Sequence, residues 1–433
     1  MKKNQDFTEE DKKYMNLALR LAEKARGFTS PNPMVGAVIV KNGSVISSGY
    51  HKSAGLPHAE VEAVDSVNDK NILRGASLYV TLEPCSIYGK TPPCTDTIIK
   101  YGFSRVIIAC IDPNPGVNGS GIRLLNDAGI RTETGLFKDR AEKLNEIFFK
   151  QIRSGTPFIT AKIASSIDGK TAAKTKDSKW ITGEKARKLV RRIRVCHDSV
   201  LTGINTVIAD NPGLLPEKST LKIYSSGYNI PGSNNKRIPE KKYFRIILDS
   251  GLRLDLKSRI VQTLDDCRTV VFCSENVRGI PSKLKKLELL KDLGTEVICA
   301  PSSTEKSVEK SDKDRAVFLD LQFIIEILYR TYGITSILLE AGKTVLSSFL
   351  RAGLIDKFIF FTSPKIIGGD SPYGIFSGLN TLLVNDAIRL RFDELKRVGQ
   401  DIMITAYPCL TPCLQDMVQK DFLGFPGGQT VVS

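Results

Sequence analysis

One imidazole and two thiols, distant in sequence, set the strongest demand on the fold of this chain. His58-Ala59-Glu60 is followed by Pro84-Cys85 and then Cys94. Zinc takes imidazole and thiolate ligands, and a catalytic site leaves a fourth position open. His-x-Glu followed by Pro-Cys is the order found in zinc deaminases of nucleobase-like rings, where the Glu moves protons and is not a ligand. A fold that uses these residues must bring His58, Cys85 and Cys94 to one point, with Glu60 beside it. Plainer readings stand next to this one. Two cysteines are often just buried thiols, and a structural zinc usually takes four protein ligands, often as two close cysteine pairs. The sequence context here offers three.

The chain has 433 residues, too many for one ordinary core, so two domains are expected. Its 41% hydrophobic and 25% charged residues are ordinary globular values. The longest apolar runs, Val35 to Val40 and Arg105 to Ile111, are strand-sized and far short of the ~20 residues of a membrane span. The N-terminus, beginning Met1-Lys2-Lys3-Asn4, lacks the apolar stretch of a secretory signal. Nine cysteines, odd in number and irregular in spacing, argue for reduced thiols and a cytoplasmic setting. The net charge of +15 fits nucleic acid, an anionic small molecule or solvated lysines. Runs such as Lys236-Arg237, Lys241-Lys242 and Lys283 to Lys291 carry no interleaved aromatics, which favours exposed faces over a nucleic-acid surface.

Periodicity predicts a helix from Thr8 to Arg26, with Thr8 and Asp11 as a capping box, and a hairpin of Val35–Val40 and Val45–Gly49 about Asn42-Gly43. A helix beginning at His58 carries Glu60 in its first turn. Strand Leu78–Leu82 leads to Cys85, and Cys94 opens the next helix. Strand Arg105–Ile111 and helix Gly119–Ala128 follow. Helix starts favour thiolate. Alternation of this kind implies a parallel or mixed sheet covered by helices. Ser154-Gly155-Thr156-Pro157 marks the expected boundary between a domain at 1–153 and another at 157–408, with a tail at 409–433. Beyond the boundary the pattern predicts strands Phe158–Ile163, Ser199–Leu201, Phe244–Leu248, Thr269–Cys273, Glu296–Cys299, Ser336–Glu340 and Lys357–Thr362. Helices are expected at Gly183–Cys196, Asp320–Tyr332 and Thr344–Arg351. Glu217–Lys242 and Val277–Asp314, both polar, read as surface insertions.

These motifs resemble one family. Pro31-Asn32-Pro33-Met34-Val35-Gly36, His58-Ala59-Glu60-Val61, Thr81-Leu82-Glu83-Pro84-Cys85-Ser86, Gly89-Lys90-Thr91-Pro92-Pro93-Cys94 and Asp112-Pro113-Asn114-Pro115 are similar to the bifunctional riboflavin-biosynthesis deaminase–reductases. So are Lys162 to Lys170, Trp180-Ile181-Thr182-Gly183, Gly203 to Val207, Asp210-Asn211-Pro212, Leu339-Glu340-Ala341-Gly342 and Pro364 to Gly369. The resemblance implies a cytidine-deaminase-like three-layer α/β domain followed by a dihydrofolate-reductase-like α/β domain. It implies zinc-dependent deamination of a phosphoribosylamino-diaminopyrimidinone, then NADPH-dependent reduction of its ribosyl group to ribityl. The partner is a phosphorylated pyrimidine, with no membrane and no nucleic acid, and a homo-oligomer is expected.

By the same resemblance His58, Cys85 and Cys94 hold zinc and Glu60 shuttles protons. Asn32 lies on the loop that meets the pyrimidine edge, or is simply a turn residue before proline. Ser165, Trp180, Thr206 and Asp210 match NADPH contacts, and Ser178 and Leu214 match substrate contacts. Trp180, the only tryptophan, fits a flat polar wall or ordinary core packing. Glu340 matches a substrate contact, with Ala341, Gly342, Lys343 and Thr344 lining the pyrophosphate at a helix start; a plain strand-to-helix turn is the alternative. Departures stand out at Ile87, where the family has His, and at Glu217, where it has a phosphate-gripping Arg. Arg194 and Arg237 are candidates to replace that Arg. Two other functions compete: a deaminase with a reductase-like binding module, and a nucleic-acid base deaminase.

Overall fold

Thr8 caps the helix Glu9–Glu23. The Thr8 hydroxyl accepts the Asp11 N–H, and the Asp11 carboxylate accepts the Thr8 N–H. The computed structural model describes residues 7–88, 92–217, 241–303, 318–369, 372–379 and 381–409. These fall into two compact units that part between Pro157 and Phe158, with Lys241 grouped with the first.

The first unit is a five-stranded sheet between helices. Strands β1 (Gly36–Lys41) and β2 (Ser44–Tyr50) form the hairpin. Strands β3 (Ser77–Val80), β4 (Arg105–Ile108) and β5 (Arg131–Thr134) follow, in the spatial order β2-β1-β3-β4-β5. β1 is antiparallel to both its neighbours, while β3, β4 and β5 run parallel. Val38, Leu78, Val106 and Ile107 are fully enclosed, as are Met15 and Ala18 of the first helix. The helix Ala59–Asp65 packs on β2 so closely that a Cβ at Gly49 would lie 2.6 Å from the Ala63 nitrogen. Glycine at 49 therefore sets how near the His58 end of that helix comes to the sheet.

The second unit is a nine-stranded sheet. In chain order its strands are β6 (Phe158–Ser166), β7 (Ser199–Gly203), β8 (Phe244–Leu248), β9 (Arg268–Ser274), β10 (Glu296–Ala300), β11 (Ser336–Leu339), β12 (Lys357–Ser363), β13 (Leu390–Val398) and β14 (Asp401–Pro408). The spatial order is β10-β9-β8-β7-β11-β6-β12-β14-β13, parallel except for the terminal hairpin of β13 and β14. Neighbouring residues serve opposite faces: Leu201 and Ile246 enter one core, Val200 and Ile247 the other. Burial on both faces explains why these strands read as continuous apolar runs.

The sequence expectations need two corrections. Val277–Asp314 is not a surface insertion, because it supplies the helix Pro281–Asp292 and then β10, which pairs in parallel with β9. Its lysines mask a helix that buries Leu287 and Leu290. Residues 304–317 of that stretch, 218–240 of the other, and 410–433 of the tail lie outside the described residues. The hairpin of β13 and β14 went unread because β13 is an edge strand with most side chains exposed, which erases the apolar alternation.

Candidate active sites

Two helix starts and one strand exit converge in the first unit. His58 caps the helix Ala59–Asp65, and Glu60 is the second residue of that helix. Cys85 follows the end of β3, and Cys94 is the first residue of the helix Cys94–Lys100. The His58 Nδ1 lies 3.5 Å from the Cys85 Sγ and 3.3 Å from the Cys94 Sγ, and one ligand atom from each of the three falls within 4.8 Å of the others. The Cys94 backbone N–H donates to the Cys85 Sγ at 3.3 Å. Cys85 O accepts from the Thr95 N–H at 3.2 Å, which ties the two cysteines together.

Electrostatics sorts the thiols. Hydrogen bonding from Cys94, then from His58 and the Cys94 N–H, outweighs burial and holds the Cys85 thiol down to about 4. Cys94 is held well above the usual thiol range because it donates to Cys85 and is buried. His58 is raised chiefly by its bond to Cys85. One imidazole and two sulfurs, one of them already favoured as thiolate, are a donor set suited to zinc, and three donors leave a position open. Glu60 is 4% exposed, and burial, reinforced by the negative charge of Cys85, pushes its carboxyl up to about 7. A carboxyl poised there can take and release a proton near neutral pH.

Asn32 connects to this cluster through His51. The His51 Nδ1 lies 3.0 Å from the Pro57 carbonyl, so the Nδ1–H donates to it. Burial holds His51 down to about 4, which keeps the ring neutral and leaves Nε2 as an acceptor. The Asn32 Nδ2, 3.1 Å away, therefore donates to Nε2, and this fixes which way the Asn32 amide faces. The His51 and His58 rings meet edge to face at 5.3 Å. Of the connecting motif, Gly89, Lys90 and Thr91 lie outside the described residues. Ile87 is exposed.

In the second unit a cleft of about 2190 Å³ opens at the C-terminal ends of β6, β7, β8 and β11. Ligands of open parallel sheets bind at that end. Ser178, Trp180, Thr206, Asp210, Leu214 and Glu340 to Thr344 all line it. Ser178 Oγ donates to Asp210 Oδ1 at 3.0 Å, and Lys179 Nζ donates to the Asp210 carbonyl at 3.1 Å. Trp180 is 61% exposed, with the Arg187 guanidinium 4.3 Å from its ring centre, so it is a wall of the cleft and no part of the core. Gly342 caps the helix Lys343–Arg351, and a Cβ there would meet Thr206 Oγ1 at 3.6 Å. Ser165 is buried and is not among the residues that line the cleft, where Lys162, Ile163 and Ala164 of the same strand stand.

Glu340 is the electrostatic centre of the cleft. Its Oε1 accepts from Arg194 Nε at 2.6 Å and its Oε2 from Arg194 Nη2 at 3.1 Å, while Lys162 Nζ lies 2.9 Å from Oε2. Burial alone would raise this carboxyl, but Arg194 and Lys162 hold it down to about 2. Arg194 is thus committed to Glu340 and to the Leu215 carbonyl. Glu217, which stands where the family has a phosphate-gripping Arg, is paired with Arg192 at 3.2 Å, and Arg237 lies outside the described residues. Sequence reasoning gave Lys162 no role; it was legible only as a polar residue inside the apolar run of β6. Glu83, next to the Pro-Cys motif, was likewise passed over, although its carboxylate accepts four backbone N–H groups.

The two units together define a zinc-type hydrolytic deaminase joined to a nucleotide-dependent reductase. The cytidine and deoxycytidylate deaminase zinc-binding region matches residues 8–110, and the RibD C-terminal domain matches 157–404. The chain is 37% identical to the riboflavin biosynthesis protein RibD of Aquifex aeolicus over 91% of its own length and 97% of that protein, and 37% identical to RibD of Escherichia coli over 91% and 98%. It superposes on Acinetobacter baumannii RibD with a TM-score of 0.74 at 34% identity, covering 93% of this chain and 99% of that one. A Thermotoga maritima structure, titled a diaminohydroxyphosphoribosylaminopyrimidine deaminase and 5-amino-6-(5-phosphoribosylamino)uracil reductase, gives 0.73 at 32% identity, covering 92% and 99%. The chain belongs to the RibD family of riboflavin-biosynthesis proteins. It is a bifunctional enzyme, a zinc-dependent deaminase in its first half and an NADPH-dependent reductase in its second. Its fold is the cytidine-deaminase-like domain followed by the dihydrofolate-reductase-like domain that the motifs implied. No helix among the described residues is long and apolar enough to cross a membrane.

Proposed function

We propose that the first unit hydrolyses the exocyclic amine of a phosphoribosylamino-diaminopyrimidinone, and that the second reduces the ribosyl group of the product to ribityl. The observation that carries the reading is the convergence of His58, Cys85 and Cys94 beside a buried Glu60. In this reading those three residues hold zinc. When bound, the ion supplies Lewis acidity that brings the ionisation of water close to neutral pH. Glu60 takes a proton at its carboxylate, delivers it to the ring nitrogen, and then serves the departing amine. Asn32, oriented by His51, accepts from or donates to the pyrimidine edge.

In the cleft, Ser178, Leu214 and Glu340 contact substrate, while Trp180, Thr206, Asp210 and Ala341 to Thr344 receive the cofactor. When bound, NADPH supplies the hydride. The N-terminal turn of Lys343–Arg351 offers backbone N–H groups to a pyrophosphate. Glu340 keeps Lys162 and Arg194 fixed, and the one net positive charge that the three leave faces an anionic sugar phosphate. Residues 1–153 serve as the deaminase domain and 157–408 as the reductase domain. Cytoplasmic residence rests on cysteines that form no disulfide among the described residues, and homo-oligomer formation on the exposed Phe392 and Leu395 of β13.

The test is a Glu60→Gln variant assayed on the two steps separately. Ammonia release should fall about 10²–10⁴-fold, the usual range for losing a general acid–base. Zinc content and NADPH oxidation on the deaminated product should stay as in the parent. Unchanged ammonia release would remove Glu60 from the chemistry.

A further inference from the structure

Glu83 makes an unusual set of contacts for a carboxylate two residues before a metal-type cysteine. It is 3% exposed. Its Oε2 accepts the Gly119 N–H at 2.9 Å and the Asp112 N–H at 3.3 Å. Its Oε1 accepts the Gly121 N–H at 3.1 Å and the Ile122 N–H at 3.3 Å. Three of these donors belong to the start of the helix Ser120–Asp127, whose N-cap is Gly119, a residue with no side chain to cap with. The carboxylate takes the place of that cap, and its negative charge suits the positive end of the helix dipole.

The same helix start grips the chain on the far side of Glu83. A Cβ at Gly121 would lie 2.2 Å from the Pro84 carbonyl oxygen, so the strand exit lies directly on the helix backbone. Ser86 Oγ and Ser120 Oγ are 2.5 Å apart. Residues 83, 84 and 86 are thus each fixed to one helical turn, with Cys85 between them. Pro84 has its φ locked by its ring, which leaves few free torsions between the Glu83 backbone and the Cys85 sulfur.

We propose that Glu83 is a positioning residue for the metal centre: its carboxylate anchors the 83–86 segment to the helix Ser120–Asp127 and so places the Cys85 Sγ within reach of His58 and Cys94. This deepens the reading of His58, Cys85 and Cys94 as zinc ligands and rests on it. Residues that orient a metal ligand typically hold 10–100-fold in metal affinity. Glu83→Gln keeps the size of the side chain, but turns an NH₂ group toward backbone N–H donors, and one pair of bonds is lost. Gly121→Ala leaves the carboxylate intact and pushes on Pro84 from the helix side.

The experiment uses the full chain. Zinc affinity is measured by competition with a chromogenic chelator, deaminase kcat and KM at limiting and saturating zinc, and NADPH oxidation on the deaminated product as the control for the second unit. Glu83→Gln should bind zinc about 10–100-fold more weakly than the parent. Its kcat should fall at limiting zinc and recover toward the parent at saturating zinc, with KM unchanged. The reductase step should not change. Gly121→Ala should weaken zinc binding in the same direction, and it decides the matter if Glu83→Gln does not fold. Parent-like zinc affinity in a folded Glu83→Gln, or a kcat loss that zinc does not restore, overturns the proposal. A parent that binds no zinc would instead sink the ligand assignment, so the two failures are told apart.

Discussion

Replacing Glu340 by Gln tests the charge arrangement at the centre of the reductase cleft. The carboxylate is 8% exposed, and it faces Arg194 and Lys162, each with 15% side-chain exposure. Its pKa is about 2 against an ordinary 4.5. A group whose pKa is lowered on folding contributes stability that is full above its unfolded value and fades as pH falls toward the folded one. At ~1.4 kcal/mol per pH unit, this carboxylate contributes about 3 kcal/mol at neutral pH. Breaking a buried ion pair from one side costs a similar 3–5 kcal/mol, because the remaining charges are left unpaired. The two routes agree. Glu340→Gln should therefore lose about 3 kcal/mol in the second unit, and a domain of this size should melt about 6–12 °C lower. Urea unfolding followed by the fluorescence of Trp180, the single tryptophan, reads that unit directly. The gap between parent and variant should be constant from pH 8 to about 5 and close between about 4.5 and 2. A variant within 1 kcal/mol of the parent at pH 7, or a gap that survives at pH 2, would refute the argument.

Other outcomes follow from the same geometry. Cys94→Ala removes a donor whose sulfur lies 3.3 Å from His58 Nδ1, and metal analysis should find zinc near zero with ammonia release abolished and NADPH oxidation intact. Gly342→Val puts a branched side chain where a Cβ already meets Thr206 Oγ1 at 3.6 Å, so the KM for NADPH should rise at least tenfold while melting changes little. Asn32→Asp places a carboxylate against the acceptor nitrogen of a neutral His51. It should raise the deaminase KM and draw the His51 pKa upward from about 4, as an NMR titration of the ring would show.

Much of this architecture is legible in the sequence. The capping box at Thr8, the Asn42-Gly43 hairpin, and the strands Phe244–Leu248 and Lys357–Ser363 all follow from local chemistry and apolar runs. The zinc-type cluster was legible because its donors are rare residue types: the chain has only three histidines. What stayed hidden was relational. Ser165 is buried while Lys162, Ile163 and Ala164 of the same strand line the cleft, a difference that no local pattern announces. Glu217 read only as the loss of a phosphate-gripping Arg because its partner Arg192 lies 25 residues away in sequence. Glu83 and Lys162 act through backbone and side-chain partners that only the folded sheet brings near. The lysines of Pro281–Asp292 made a helix that buries Leu287 and Leu290 read as part of a polar surface insertion.

The most direct measurement strips the full chain of metal with a chelator and restores zinc stepwise, following ammonia release and NADPH oxidation in parallel. Ammonia release should vanish and return in proportion to added zinc, reaching full rate at one ion per chain. Oxidation of NADPH on the deaminated product should be indifferent throughout. Ammonia release that persists in the stripped protein, or zinc that still binds after His58, Cys85 and Cys94 are replaced together, would contradict the account.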